Sequence, residues 1–559
     1  MRFLFVPAFV LTIAYTSFLD FTPSERNFQH SSRQHQLPDQ TYEQAVQESI
    51  REHMGKLIDH QTVDLDGQKI IGNSVLLNLY KNVDFQPVWS EAQNRKDLIK
   101  ILEDSHYEGL NPKDYHIDYL KEYEELTEGD LSIEPDLTAR SDIFMTNAIL
   151  TYAHHLIQGK VHPVQLDPNW NYSYRPLPDS AEFLLLKRLK SQTLEKGIDN
   201  IRSDLPMYQR LRYWFAHYDS LKRTGGTIDK IEYPGKPLRL GDSSAMVASI
   251  KRQLANYGYS FPTLGHNKFG NELEEVLKEF QRHYGLQDDG IAGKNTFEAL
   301  NMSIDERLDV LRVNMERCRW INNDLPKEFL LVNIADYQLY IFRNRKIDYH
   351  SRVVVGKEHH ETPIFTSKIQ YVVFNPTWTL PYSIASKEIL PHLKRDSHYL
   401  QNRNMTLLKG GSEIDPNHVD FSQYSERYFP YTIRQEPGPH NALGRMKFIF
   451  PNHFSVYLHD TPSKSYFEQS QRAFSHGCVR VQNPQILAEQ LLGNKGFDGA
   501  KISDVLKSEK TQTVYLKEPM PVMLMYWTCY ESKRDGRMYF YRDIYGRDSK
   551  ILHELSKSL

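Results

Sequence analysis

The chain has very little cysteine: Cys318, Cys478 and Cys529 are the three in 559 residues. That excludes a disulfide framework. A Cys318–Cys529 bridge stays open in an oxidising compartment, but two separate buried thiols are the reading adopted. An excess of one charge is also missing. The net charge is −3, with no long basic run, so nucleic acid is not expected as a partner. The His-Glu-x-x-His metal pattern is absent. His359-His360-Glu361 is dense but wrongly spaced and reads as an exposed turn before Thr362-Pro363. No metal or cofactor is expected. Long apolar runs are confined to the start, where Arg2 precedes an apolar stretch up to residue 15. This reads as an export signal. The run is short and contains Pro7, which argues against a full membrane span. It has no small-x-small cleavage site, so an uncleaved inner-membrane anchor stays open, as does a buried N-terminal helix.

What is present is enough apolar and aromatic material, 40% and 12%, for several packed cores. Residues 1–20 are the expected signal or anchor and 21–38 a polar linker. Thr41-x-x-Gln44 is a capping box, followed by helical spacing at Tyr42, Val46, Ile50 and Leu57. Helical segments broken by Asn-Pro, Gly and Pro continue over 39–232. Residues 237–301 form a compact unit, with Val247, Ile250 and Leu254 on one helix and Leu273, Val276, Leu277 and Phe280 on a second. From about 305 one more helix leads into segments of period two: 330–334, 338–342, 352–355 and 368–374. These open a β-rich domain expected to run to 548, ahead of a tail at 549–559. The strand pattern lapses over 379–436, where residues 386–393 look helical and the rest loop-like. Residues 522–527 and 538–541 flank Asp535-Gly536, a hairpin signal, and are expected to complete the same sheet.

Within that domain, Ser475-His476-Gly477-Cys478-Val479-Arg480 follows His459 by 19 residues from histidine to cysteine. A thiol attacks only as a thiolate, so it needs a base or a nearby cation. If residues 454–459 alternate as a strand, Ser455, Tyr457 and His459 share one face. Gly477 permits a sharp turn, after which backbone N–H groups near Cys478 can meet an oxyanion. Arg480 can favour the thiolate or hold a substrate carboxylate. Asn483-Pro484 starts a helix, so the thiol sits on a short loop held at both ends.

This signature resembles that of the L,D-transpeptidases with a YkuD-type catalytic domain. Residues 85–89, 108–115 and 156–163 resemble the helical scaffold of the large YcbB-like members, and 237–301 resembles a three-helix peptidoglycan-binding domain. The resemblance implies a multidomain α+β protein of the periplasm or cell envelope. It implies an acyltransferase that forms 3→3 cross-links between peptidoglycan stem peptides, shapes the wall, is acylated by carbapenems and works beside other wall synthases. It makes 379–436 a capping insertion and places Trp378 at a strand end beside the active site.

In this reading Cys478 attacks a stem-peptide amide and His459 takes the thiol proton. His476 is the rival base. His459 is preferred because a base on a separate strand can face the sulfur while an orienting group holds its other nitrogen. Asp460 is a candidate orienter or simply a turn cap, and Ser475 a substrate contact or a turn hydroxyl. Two other functions remain: an L,D-carboxypeptidase using the same thiol, and a wall-binding scaffold without catalysis.

Overall fold

The computed structural model describes residues 41–558 except 61, 66–67, 72–73, 129–132, 167–193, 226–228, 263, 322–324 and 397. The expected signal and linker lie outside the described residues. The fold is multidomain α+β. Among the described residues, no helix is long and apolar enough to cross a membrane.

The first helix, Tyr42–His60, is capped reciprocally. Thr41 N–H donates to the Gln44 side chain (3.0 Å), and Gln44 N–H donates to the Thr41 hydroxyl (3.4 Å). Its apolar face joins helices Ser74–Asn82, Ala92–Glu103 and Ile117–Glu128 around the long helix Pro135–Gln158. That long helix is buried nearly all round, which a two-sided apolar sequence requires. Its buried Asp142 accepts from the N–H groups of Val88 and Trp89 (2.8 and 2.7 Å), fixing the segment 85–89. The helix Pro206–Arg223 behaves differently. Tyr208, Leu211 and Phe215 pack with Leu308, Leu311 and Met315 of helix Ile304–Arg319, in the C-terminal core.

Helices Ala245–Asn256, Asn271–His283 and Lys294–Leu300 enclose Val247, Ile250, Leu254, Leu273, Leu277 and Phe280 in a small separate core.

The C-terminal domain is built on a nine-stranded sheet. The order is Ala473–Ser475, Lys346–Gly356, Val479–Val481, Leu458–His459, Met446–Ile449, Phe365–Phe374, Gln512–Met525, Glu328–Asn333, Gln338–Arg343. The last strand also pairs with Lys346–Gly356, so the sheet closes on itself. Gln338–Arg343, Met446–Ile449 and Val479–Val481 alternate buried and open positions, the signature of one face on a core.

Four expectations are corrected. Residues 454–459 do not form one strand; only Leu458–His459 pairs, because Ser455 sits at φ 57° in a turn. The insertion is not loop-like after its helix. It holds its own four-stranded sheet, Trp378–Thr379, Thr432–Gln435, Met405–Lys409 and Ser412–Ile414, over a core including Leu393, Leu407, Phe429 and Ile433. Of the two segments expected to complete the sheet, 522–525 does so as the end of strand Gln512–Met525, but 538–540 does not. Cys529–Glu531 pairs with Met538–Phe540 separately, because the Asn333 side chain takes the N–H and C=O of Trp527 and ends the ladder. Finally, the expected tail contains most of a helix, Arg547–Leu555, which buries Ile551 and Leu555 against Val161 and Val313.

Candidate active site

Three neighbouring strands bring the singled-out residues together. Leu458–His459 runs parallel to Val479–Val481 with His459 opposite Arg480. On its other side it runs antiparallel to Met446–Ile449 with Lys447 opposite His459. Residues opposite each other point to one face, and so do residues two apart. Lys447, His459 and Arg480 thus form a row across the sheet, with Tyr457 and Cys478 next to it. The contacts agree: the Lys447 ammonium lies 3.8 Å from the centre of the Tyr457 ring, and the Tyr457 and His459 rings are 5.7 Å apart.

Cys478 ends a turn, residues 476–478, that Gly477 makes at φ 108°. The Ser475 hydroxyl ties that turn, accepting from Gly477 N–H (3.1 Å) and donating to the Cys478 carbonyl (2.5 Å). Ser475 is therefore the turn hydroxyl. Gly477 N–H is committed to it, whereas Cys478 N–H has no protein acceptor among the described residues. The thiol is partly exposed and donates to the Ser455 carbonyl (3.8 Å). Burial pushes its pKa up, while Tyr457, Lys447 and Arg480 pull it down. The Tyr457 hydroxyl faces the sulfur and the Trp378 indole, so Trp378, Tyr457 and Cys478 are neighbours from the insertion's first strand to the thiol.

His459 is buried, and its pKa falls to about 3, chiefly through burial and then through the Arg480 charge. Its Nδ1 lies 2.5 Å from the Asp460 carbonyl. A carbonyl only accepts, so Nδ1 carries the proton and Nε2 keeps a lone pair. The ring is thus oriented by backbone, the Asp460 carbonyl first and that of Leu443 beside it. The Asp460 carboxylate serves the turn, accepting from Arg445 N–H (2.8 Å) and the Lys464 ammonium (2.6 Å).

His476 engages the insertion: its Nε2 lies 3.0 Å from Glu388, and its ring is 5.0 Å from that of His360. Glu388 belongs to a one-turn π-helical segment, Ala385–Ile389. Arg480 rests 5.9 Å over the Tyr466 ring, and its Nε is buried without an acceptor. No carboxylate pairs with Lys447 or Arg480 among the described residues. Lys447 was missed in the sequence because its place beside the thiol depends on strand register, which spacing alone does not reveal. Cys318 and Cys529 are both free and buried; burial raises the Cys318 thiol to about 12, leaving it inert. Among the described residues no three His, Cys, Asp or Glu side chains group to hold a metal ion.

Comparison with known proteins agrees with this architecture. Residues 327–502 match the YkuD family, described as "L,D-transpeptidase catalytic domain". Residues 74–214 match the "Scaffold domain" family and 243–300 the "Putative peptidoglycan binding domain" family. A Haemophilus influenzae protein named "Putative L,D-transpeptidase" is 36% identical over 223 residues, 40% of this chain. The match spans 45% of that relative, a little under half its length. A solved L,D-transpeptidase from Stackebrandtia nassauensis shows 15% identity at TM-score 0.21, over 52% of this chain and 94% of that one. One from Mycobacterium smegmatis shows 11% at TM-score 0.17, over 36% and 58%. Residues 327–502 are accordingly an L,D-transpeptidase catalytic domain of the YkuD family, on a chain that also carries a scaffold region and a peptidoglycan-binding unit.

Proposed function

We propose that this protein is a peptidoglycan L,D-transpeptidase of the cell envelope, with Cys478 as nucleophile and His459 as general base and acid. The observation that carries the reading is the shared sheet face of Cys478, His459, Lys447, Arg480 and Tyr457. When a stem peptide enters, the Cys478 side chain turns from the Ser455 carbonyl and gives its proton to His459 Nε2. Thiol–base contacts commonly tighten only with substrate bound. Sulfur attacks the amide carbonyl, and Cys478 N–H faces the oxyanion. His459 returns the proton to the departing amine, leaving a thioester. The side-chain amine of a second stem then attacks the thioester carbon, an amide forms, and the thiol is released. Lys447 and Arg480 favour the thiolate during attack. The resemblance supplies the donor, a tetrapeptide stem that loses D-Ala, and the 3→3 linkage.

Transfer to an amine requires water to be kept from the thioester. The Glu388–His476 contact holds the insertion against the catalytic turn and supports such a cover. Incubating the protein with disaccharide-tetrapeptide separates the outcomes. Cross-linked dimers are expected; trimmed tripeptide alone would make the protein a carboxypeptidase, and no product at all would make it a scaffold.

A further inference from the structure

Away from the thiol, a cavity of about 490 Å³ opens between the peptidoglycan-binding unit and the catalytic domain. Its size falls within the ~300–1,000 Å³ usual for ligand sites. One wall is the turn at the end of helix Asn271–His283, with Gln287 exposed at its tip. The opposite wall is the C-terminal hairpin, whose Tyr530 stacks on Tyr539 (6.0 Å, 9° between planes) and on Tyr541 (5.5 Å, 24°).

The two walls are locked together. His283 Nε2 lies 3.1 Å from the Asp535 carboxylate, and the Arg537 guanidinium donates to the carbonyls of Tyr257 and Gly258 (3.2 and 3.1 Å). Gly285, at φ 59°, packs so closely on Tyr541 that a Cβ would lie 2.7 Å from its ring. Neither unit alone forms the cavity.

Its lining also carries unspent polar capacity. The Gln338 side-chain oxygen is buried without a partner. Beside it Tyr337 is held at φ 58°, a strained conformation for a tyrosine and one found preferentially at functional sites. Arg534 adds an exposed cation at the rim. The phenol hydroxyls are spent within the protein, on one another and on Asp535. The amide of Gln338 and the guanidinium of Arg534 are the groups left to meet sugar hydroxyls and acetamido groups.

We propose that this interdomain cavity binds the glycan strand of peptidoglycan, a chain of N-acetylated amino sugars, as a site separate from the stem-peptide cleft. The inference rests on the reading that the chain works on peptidoglycan. Gln482, in the lining, lies four residues beyond Cys478 at the far end of strand Val479–Val481. That separation is about 13 Å at strand rise. A stem of about four extended residues reaches about as far. Glycan held here would keep its own stem within range of the thiol.

The test is titration calorimetry of the full chain with peptide-free glycan strands and, separately, with free tetrapeptide. Two variants are compared: Gln287→Trp, which fills the mouth from an exposed turn, and Arg534→Ala. Glycan strands are expected to bind the unaltered protein, and each variant to weaken that binding about tenfold. Carbapenem acylation of Cys478 should be unchanged in both. Absence of glycan binding, equal binding in all three proteins, or loss of tetrapeptide rather than glycan binding on filling the mouth would overturn the proposal. An inert Cys478 with glycan binding intact would instead overturn the acyl-transfer reading and leave the cavity assignment standing.

Discussion

Lowering the pH from 7 to 5 should expose the burial of His459. In the folded protein its imidazole has a pKa of about 3, because burial and the Arg480 charge both oppose protonation. In the unfolded chain it titrates near ~6.5. At pH 7 both states are largely neutral there. At pH 5 the unfolded imidazole is protonated and the folded one is not, so the unfolded state binds more protons and stability falls with pH. The stability at stake is fully present above the unfolded value and is lost steadily as the pH falls toward the folded one. Each pH unit crossed between the two values costs about 1.4 kcal/mol, so the loss by pH 5 is about 2 kcal/mol. Other groups titrate too, so the informative quantity is a difference. Urea unfolding of the unaltered protein and of His459→Gln, each at pH 7 and pH 5, isolates it. The unaltered protein should lose about 2 kcal/mol more than the variant between the two pH values. Equal losses would mean that the imidazole is solvated, and the account of a neutral, buried base would fail.

Other consequences concern the surrounding residues. Lys447→Met removes the cation that lies over Tyr457 and lowers the thiol. The thiol pKa, read from the pH dependence of alkylation, should rise, because a neighbouring cation that favours the thiolate is gone. An unmoved profile would remove Lys447 from the site. Gly477→Ala forces a side chain to φ 108°, with its Cβ 3.5 Å from the Glu361 carbonyl. Strain of this kind costs about 1–3 kcal/mol, so acylation should slow and the melting temperature drop; an unaffected variant would show that the turn relaxes freely. His476→Ala should keep more acylation activity than His459→Ala, since His476 is engaged by Glu388. The opposite order in a stopped-flow assay would transfer the base role to His476.

The parts legible in the sequence were those that depend on local pattern. The three-helix unit follows from one stripe, Leu273, Leu277 and Phe280, that only a helix can gather on one face. Strand Gln338–Arg343 was legible because its period is two, whereas residues 512–521 of the longest strand, which lack that alternation, were not read as strand. The hexapeptide around Cys478 marked the thiol because its residue types are tied to a chemistry. What stayed hidden depended on partners far along the chain. The insertion's strands are three to five residues where they pair most fully, Met405–Lys409 and Ser412–Ile414, too short for alternation to stand out. The hairpin looked continuous with the main sheet because nothing local announces that Asn333 will intercept the ladder at Trp527.

The candidate site shows the same division. Cys478, His459 and Arg480 were readable as residue types. The alignment of His459 with Arg480 and Lys447 is a matter of register between three strands, one pair parallel and one antiparallel. That register turns Lys447 into a neighbour of the thiol and fixes His459 through a main-chain carbonyl rather than through a carboxylate.

The claim on which the account depends is that Cys478 is a nucleophile served by its own sheet face. Intact-protein mass spectrometry after exposure to a carbapenem measures this directly. The account predicts one added inhibitor mass, mapped by peptide analysis to Cys478 and absent in Cys478→Ala. An adduct on Cys318 or Cys529, an adduct that persists in Cys478→Ala, or no adduct at all would contradict it.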